Sequence, residues 1–141
     1  MISIKSKREI EFMRESGRIA SQTLDMIGEY VKPGVSTEEL NTLCHDFILS
    51  FDAYPAPLEY KGFPKSICTS INDVICHGIP SKKEILKDGD IVNIDVTALK
   101  NGYHGDTSRM YFVGNVSQEA QDLVNFTKDI LYQAIEIVKP G

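Results

Sequence analysis

The run Ile91-Val92-Asn93-Ile94-Asp95-Val96-Thr97-Ala98-Leu99, then Lys100-Asn101-Gly102-Tyr103, then His104-Gly105-Asp106-Thr107-Ser108-Arg109-Met110-Tyr111-Phe112-Val113, decides how this chain folds. Two strand-like runs flank a dipeptide. Asn-Gly accepts positive φ at both central positions of a type I′ turn, so Asn101-Gly102 should close a two-residue β-hairpin. With Lys100 opposite Tyr103, Thr97 falls opposite Asp106 and Ser108 opposite Asp95. Asp95 and Asp106 are then diagonal neighbours on one face, about 7–8 Å apart at the backbone and within reach of one ion. Asn93, Thr97 and Ser108 share that polar face, while Val92, Ile94, Val96 and Ala98 form a continuous apolar face for a core.

An alternating strand can simply turn a polar face to water. Two acids set diagonally across a ladder, however, repel each other unless a cation or a proton lies between them. Solvation explains Thr and Ser better than it explains a pair of Asp, and the pair therefore reads as a candidate cation site.

The 141 residues are 42% hydrophobic and 25% charged, enough for an ordinary core in one domain over 1–141. No apolar run is long enough to span a bilayer, and the start Met1-Ile2-Ser3-Ile4-Lys5-Ser6 lacks a signal-peptide apolar region, so the expected compartment is cytoplasmic. A net charge of -5 without a basic cluster argues against nucleic acid as the main partner and leaves a ribosome surface open. Cys44, Cys68 and Cys76 show no CxxC spacing and are expected to be reduced thiols.

Ser6-Lys7-Arg8-Glu9 is a capping box opening a helix to about Tyr30, with Ile10, Met13, Gly17, Ala20, Leu24, Ile27 and Val31 on one stripe. Lys32-Pro33-Gly34 stops it, and Ser36-Thr37-Glu38-Glu39 opens a second helix that turns Leu40, Leu43, Cys44, Phe47, Ile48 and Phe51 inward. His45 falls among the polar positions and reads as a surface or boundary histidine. Asp52 to Pro64, with its prolines and aromatics, is a loop of the kind that lines pockets. Ser66 to Ser70 and Val74 to His77 read as short strands around a turn at Asn72-Asp73, and Ser81 to Gly89 as a polar connector. Ser117 caps a last helix bearing Ala120, Leu123, Val124, Leu131, Ala134, Ile135 and Val138. Its end repeats the beginning. Aligning Ala20–Gly34 with Thr127–Gly141 gives six identities in fifteen positions: Leu24/Leu131, Glu29/Glu136, Val31/Val138, Lys32/Lys139, Pro33/Pro140 and Gly34/Gly141. The match covers a helix and its stop signal, which reads as an internally duplicated fold of which this chain holds one half and the opening helix of the next.

With these features in place, the chain resembles the type I methionine aminopeptidases of the pita-bread fold. The resemblance runs through Tyr30-Val31-Lys32-Pro33-Gly34, Gly62-Phe63-Pro64-Lys65-Ser66-Ile67-Cys68, Asn72-Asp73-Val74-Ile75-Cys76-His77-Gly78-Ile79-Pro80, Asp88-Gly89-Asp90-Ile91-Val92-Asn93-Ile94-Asp95 and His104-Gly105-Asp106-Thr107. It implies an α+β fold: half of a pita-bread, an antiparallel sheet with helices packed on one face. It implies two divalent metal ions (Co, Mn, Fe, Zn or Ni) that activate water against the first peptide bond of nascent polypeptides starting with Met. By this resemblance Asp95 binds one ion through both oxygens, Asp106 bridges the two, and Thr97 supports these ligands without touching metal. His77 matches a catalytic histidine that hydrogen-bonds the substrate amide and supports the tetrahedral intermediate. Tyr60, Phe63 and Cys68 match the wall of the pocket for the Met side chain.

The chain departs from that pattern at Pro57, Glu59, Lys61 and Phe63, where the family usually has Cys, Gly, His and often Tyr. Two carboxylates also fall short of two ions that want about four to six ligands each. The family takes a His and two Glu from its second half, whereas this chain has no His after His104, and Glu119, Asp122, Asp129 and Glu136 read as solvent-side charges. The 141 residues alone are therefore expected to be inactive or nearly so. Either the sheet is completed by a second half, or two copies pair as a homodimer that imitates it. The alternative function is a non-catalytic pita-bread module that binds peptides or the ribosome.

Overall fold

A computed structural model describes residues 3–141. Helix α1 spans Lys7–Gly28 and α2 spans Thr37–Leu49; strands β1 (Tyr54–Pro55), β2 (Cys68–Ile71), β3 (Ile91–Lys100) and β4 (Tyr103–Phe112) follow, and α3 spans Gln118–Glu136. Both capping boxes form. Ser6 and Ser36 each accept the backbone N–H three residues on, and Glu9 and Glu39 return the bond to the cap backbone. These pairs satisfy amides that a helix start otherwise leaves open.

Strand β3 is the spine of one antiparallel sheet, with β4 along one edge and β1 and β2 sharing the other. Asn101 (φ 53°) and Gly102 (φ 79°) make the turn, and the register that follows pairs Lys100 with Tyr103, Thr97 with Asp106 and Asp95 with Ser108. The face of β3 carrying Val92, Ile94, Val96 and Ala98 is completely buried. It meets Ile19, Leu24 and Ile27 of α1 and Leu40, Cys44 and Ile48 of α2, so both helices lie on the same side of the sheet.

Close approach fixes where α1 crosses the hairpin. A Cβ on Gly105 would stand 2.2 Å from the backbone nitrogen of Gly17, so only glycine lets helix and strand meet there. Ser16 Oγ donates to the Tyr103 carbonyl at 2.8 Å and ties the helix to the hairpin end.

One expectation changes. Val74 to His77 is not a strand: β2 takes β3 as its partner, and the later segment meets β2 without a ladder, the Val74 amide donating to the Ile71 carbonyl at 3.0 Å and the Gly78 carbonyl accepting the Thr69 amide at 2.9 Å. His77 itself sits at φ 56°, which no extended strand allows. Helix α3 forms as expected but buries none of its residues. The buried face of α1 and the stripe Leu123, Phe126, Thr127, Ile130, Leu131 and Ala134 of α3 occupy matching positions in the repeat, yet only the first has a sheet to cover it.

Candidate metal centre

The sheet face opposite the helices carries the polar residues. Opposed residues of antiparallel strands share a face, so Asn93, Asp95 and Thr97 of β3 stand with Asp106, Ser108 and Met110 of β4, and Cys68 of β2 joins them opposite Asp95. Asp106 is exposed and Asp95 half-buried. Burial pushes the Asp95 carboxyl above the ordinary carboxylate range; the Asp106 charge acts in the same direction, and His77 opposes both. His77 lies on the segment that Thr69 anchors through Gly78.

Cys68 is nearly buried, and its thiol is pushed up to about 11, first by burial and then by the Asp95 charge. At neutral pH it is a neutral thiol with the character of a small polarizable apolar group.

The loop from Ala56 to Ile67 hangs from the sheet beside the acids. Its outgoing stem is the Ala56 amide on the Thr97 carbonyl at 2.9 Å, and its return stem runs into Cys68 opposite Asp95. Within it Glu59 (φ 66°), Lys61 (φ 48°) and Gly62 (φ 83°) are left-handed, a conformation that costs non-glycine residues energy. Lys61 Nζ lies 5.5 Å from the centre of the Tyr60 ring. Tyr60 is 66% exposed and Phe63 half-buried.

The structure thus brings Asp95, Asp106, Thr97 and Cys68 to one face and leaves His77 exposed and Tyr60 largely in solvent. Among the described residues no group of three or more His, Cys, Asp or Glu converges where it could hold a metal ion. Two hard carboxylate donors that repel each other suit part of a divalent-cation site. His45, expected as a surface or boundary histidine, has its Nδ1 2.7 Å from Ser66 Oγ. The signal available was Asn41 and His45, polar residues one turn apart on either side of inward Cys44.

Comparison with known proteins gives this geometry a context. The model of the metallopeptidase family M24 matches residues 11–141. The chain is 56% identical to a methionine aminopeptidase of Rickettsia prowazekii, over 99% of this chain and 54% of that protein. The crystal structure of methionine aminopeptidase from Rickettsia prowazekii superposes with a TM-score of 0.97 at 55% identity, covering 100% of this chain and 56% of that one. The methionine aminopeptidase structure from Thermotoga maritima also gives 0.97, at 34% identity, covering 100% of this chain and 57% of that one. The fold is therefore half of a pita-bread, and the chain spans about half the length of the relatives it matches. No helix among the described residues is long and apolar enough to cross a membrane. An acid-bearing hairpin, a sheet with helices on one side and a family match over nearly the whole chain agree: this chain belongs to the metallopeptidase family M24.

Proposed function

We propose that residues 1–141 are one domain, the amino-terminal half of a cytoplasmic methionine aminopeptidase together with the first helix of its second half. The observation that carries this reading is the pairing of Thr97 with Asp106 and of Asp95 with Ser108, which sets two carboxylates on one open face. In this reading Asp95 and Asp106 hold two divalent ions. A bound pair of such ions supplies a water made nucleophilic at neutral pH and polarises the scissile carbonyl. Thr97 supports the acids, His77 hydrogen-bonds the substrate amide, and Cys68, Phe63 and Tyr60 line the site of the Met side chain. The substrates are nascent polypeptides starting with Met, met near the ribosome.

Two carboxylates are too few for two ions, so a second half completes the ligands and covers α3. A homodimer is the other way to supply a second sheet, and a strictly monomeric chain in light scattering eliminates it. The shortage of ligands also favours the second reading, a non-catalytic module that binds peptides or the ribosome.

One experiment separates the readings. The chain alone and a chimera joining it to the second half of the Rickettsia prowazekii relative are assayed for Met release from Met-Ala-Ser with Mn(II) or Co(II). The chimera turns over, the chain alone does not, and Asp106→Asn in the chimera abolishes release. Turnover unaffected by Asp106→Asn overturns the site, and a chimera that folds and binds metal without turnover favours the binding module.

A further inference from the structure

The loop that carries Tyr60 and Phe63 returns to the sheet through Lys65, Ser66 and Ile67, and one stripe of α2 grips all three. Glu38 pairs with the Lys65 ammonium. Asn41 Oδ1 accepts the backbone N–H of Ser66 at 2.9 Å and of Ile67 at 3.4 Å. His45 Nδ1 and Ser66 Oγ share a hydrogen bond of 2.7 Å. Spacings of three and four put Glu38, Asn41 and His45 on one helical stripe. Ser66 is 2% exposed and Ile67 fully buried, so water cannot replace a lost partner without opening the segment. The next residue is Cys68, opposite Asp95.

We infer that His45, assisted by Asn41, is a positioning residue for the pocket wall: it holds Ser66, and through Ser66 and Ile67 it fixes where Cys68 stands against Asp95. That the wall receives a methionine side chain rests on the proposed function; control of Cys68 by the clamp does not. His45 touches neither the acids nor the substrate in this assignment, and its influence passes entirely through the 65–67 strap. Asparagine is the conservative replacement, because its amide nitrogen and oxygen can stand where Nδ1 stands.

The cysteines provide the test, since they occupy three different environments. Cys76 is exposed, Cys44 lies in the core, and Cys68 is buried where the strap enters β2. Alkylation of the 141-residue chain by iodoacetamide, followed residue by residue with mass spectrometry, reads all three at once. His45→Ala raises the Cys68 rate at least tenfold and leaves Cys44 protected; His45→Asn returns Cys68 to within twofold of the parent. Ser66→Ala, which deletes the other end of the bond at little cost in volume, reproduces the His45→Ala result and serves if that variant does not fold. An unchanged Cys68 rate in both alanine variants overturns the proposal, and so does a joint rise of Cys68 and Cys44, which means general loosening. In the chimera, His45→Ala raises KM for Met-Ala-Ser severalfold with kcat within twofold. The alkylation result without turnover in any chimera overturns the assignment to methionine and upholds the clamp.

Discussion

Replacing Asp106 with Asn should stabilise the metal-free chain and destroy its response to metal. Asp95 and Asp106 are diagonal neighbours about 7–8 Å apart at the backbone, with their side chains closer. Unit charges at the backbone separation repel by about 0.5 kcal/mol in a fully aqueous medium and about 2 kcal/mol at the effective dielectric of a protein surface, and the shorter reach of the side chains makes both figures lower bounds. Asp106 is exposed, so solvent screening holds the effect near the lower figure. A gain of about 0.5 kcal/mol corresponds to a rise in Tm of about 2 °C for a chain this long. The pH dependence has a definite sign. Burial and the Asp106 charge raise the folded-state pKa of Asp95 above its unfolded value, so the contribution of Asp95 to metal-free stability is fully present below the unfolded value and is lost as pH rises through the folded one. Asp106→Asn makes that loss smaller. A divalent ion reverses the ranking: at a hundred times its Kd it stabilises the parent by about 2.7 kcal/mol. Thermal and urea unfolding in EDTA and in Mn(II), between pH 3 and pH 8, measure all of this. A parent more stable than the variant in EDTA, or Mn(II) stabilising both equally, refutes the reasoning.

Glu59→Gly should stabilise the chain by about 1 kcal/mol in urea unfolding, because Glu59 holds φ 66° where glycine pays no steric cost. Gly105→Ala should cost at least about 1–3 kcal/mol, since its Cβ meets the α1 backbone at 2.2 Å and neither element can yield without tilting the strand that carries Asp106. The repeat supplies a matched pair: Leu24→Ala should cost about 2–5 kcal/mol and Leu131→Ala within about 0.5 kcal/mol, because Leu24 is 1% exposed and Leu131 58% exposed at equivalent positions. Equal losses would mean that α3 has found a partner surface in solution.

The parts of the fold legible in the sequence are those governed by neighbours along the chain. Asn101-Gly102 demands one turn type, the turn demands one register, and the register brings Asp95 and Asp106 together. Ser6 with Glu9 and Ser36 with Glu39 are equally local, and the structure forms both boxes. Val74 to His77 has the composition of a strand, but β propensity describes a pleated surface awaiting partners, and β3 gives its edge to β2. The clamp from α2 onto Ser66 joins residues 21 and 25 positions apart, and no local pattern announces it. The stripe on α3 shows why an apolar period is a statement about need: it calls for cover without saying where cover lies. The acids were legible as a pair for the same local reason, whereas the loop bearing Tyr60 and Phe63 takes its place from stems on two separate strands.

In the proposed site one tight turn aims two carboxylates at the same cations. Anomalous diffraction from Mn(II)-soaked crystals of the chimera tests it most directly. Manganese should lie within bonding distance of both Asp95 carboxylate oxygens and of Asp106, on the sheet face that holds Cys68. Manganese bound elsewhere, or held by one of these acids without the other, contradicts it.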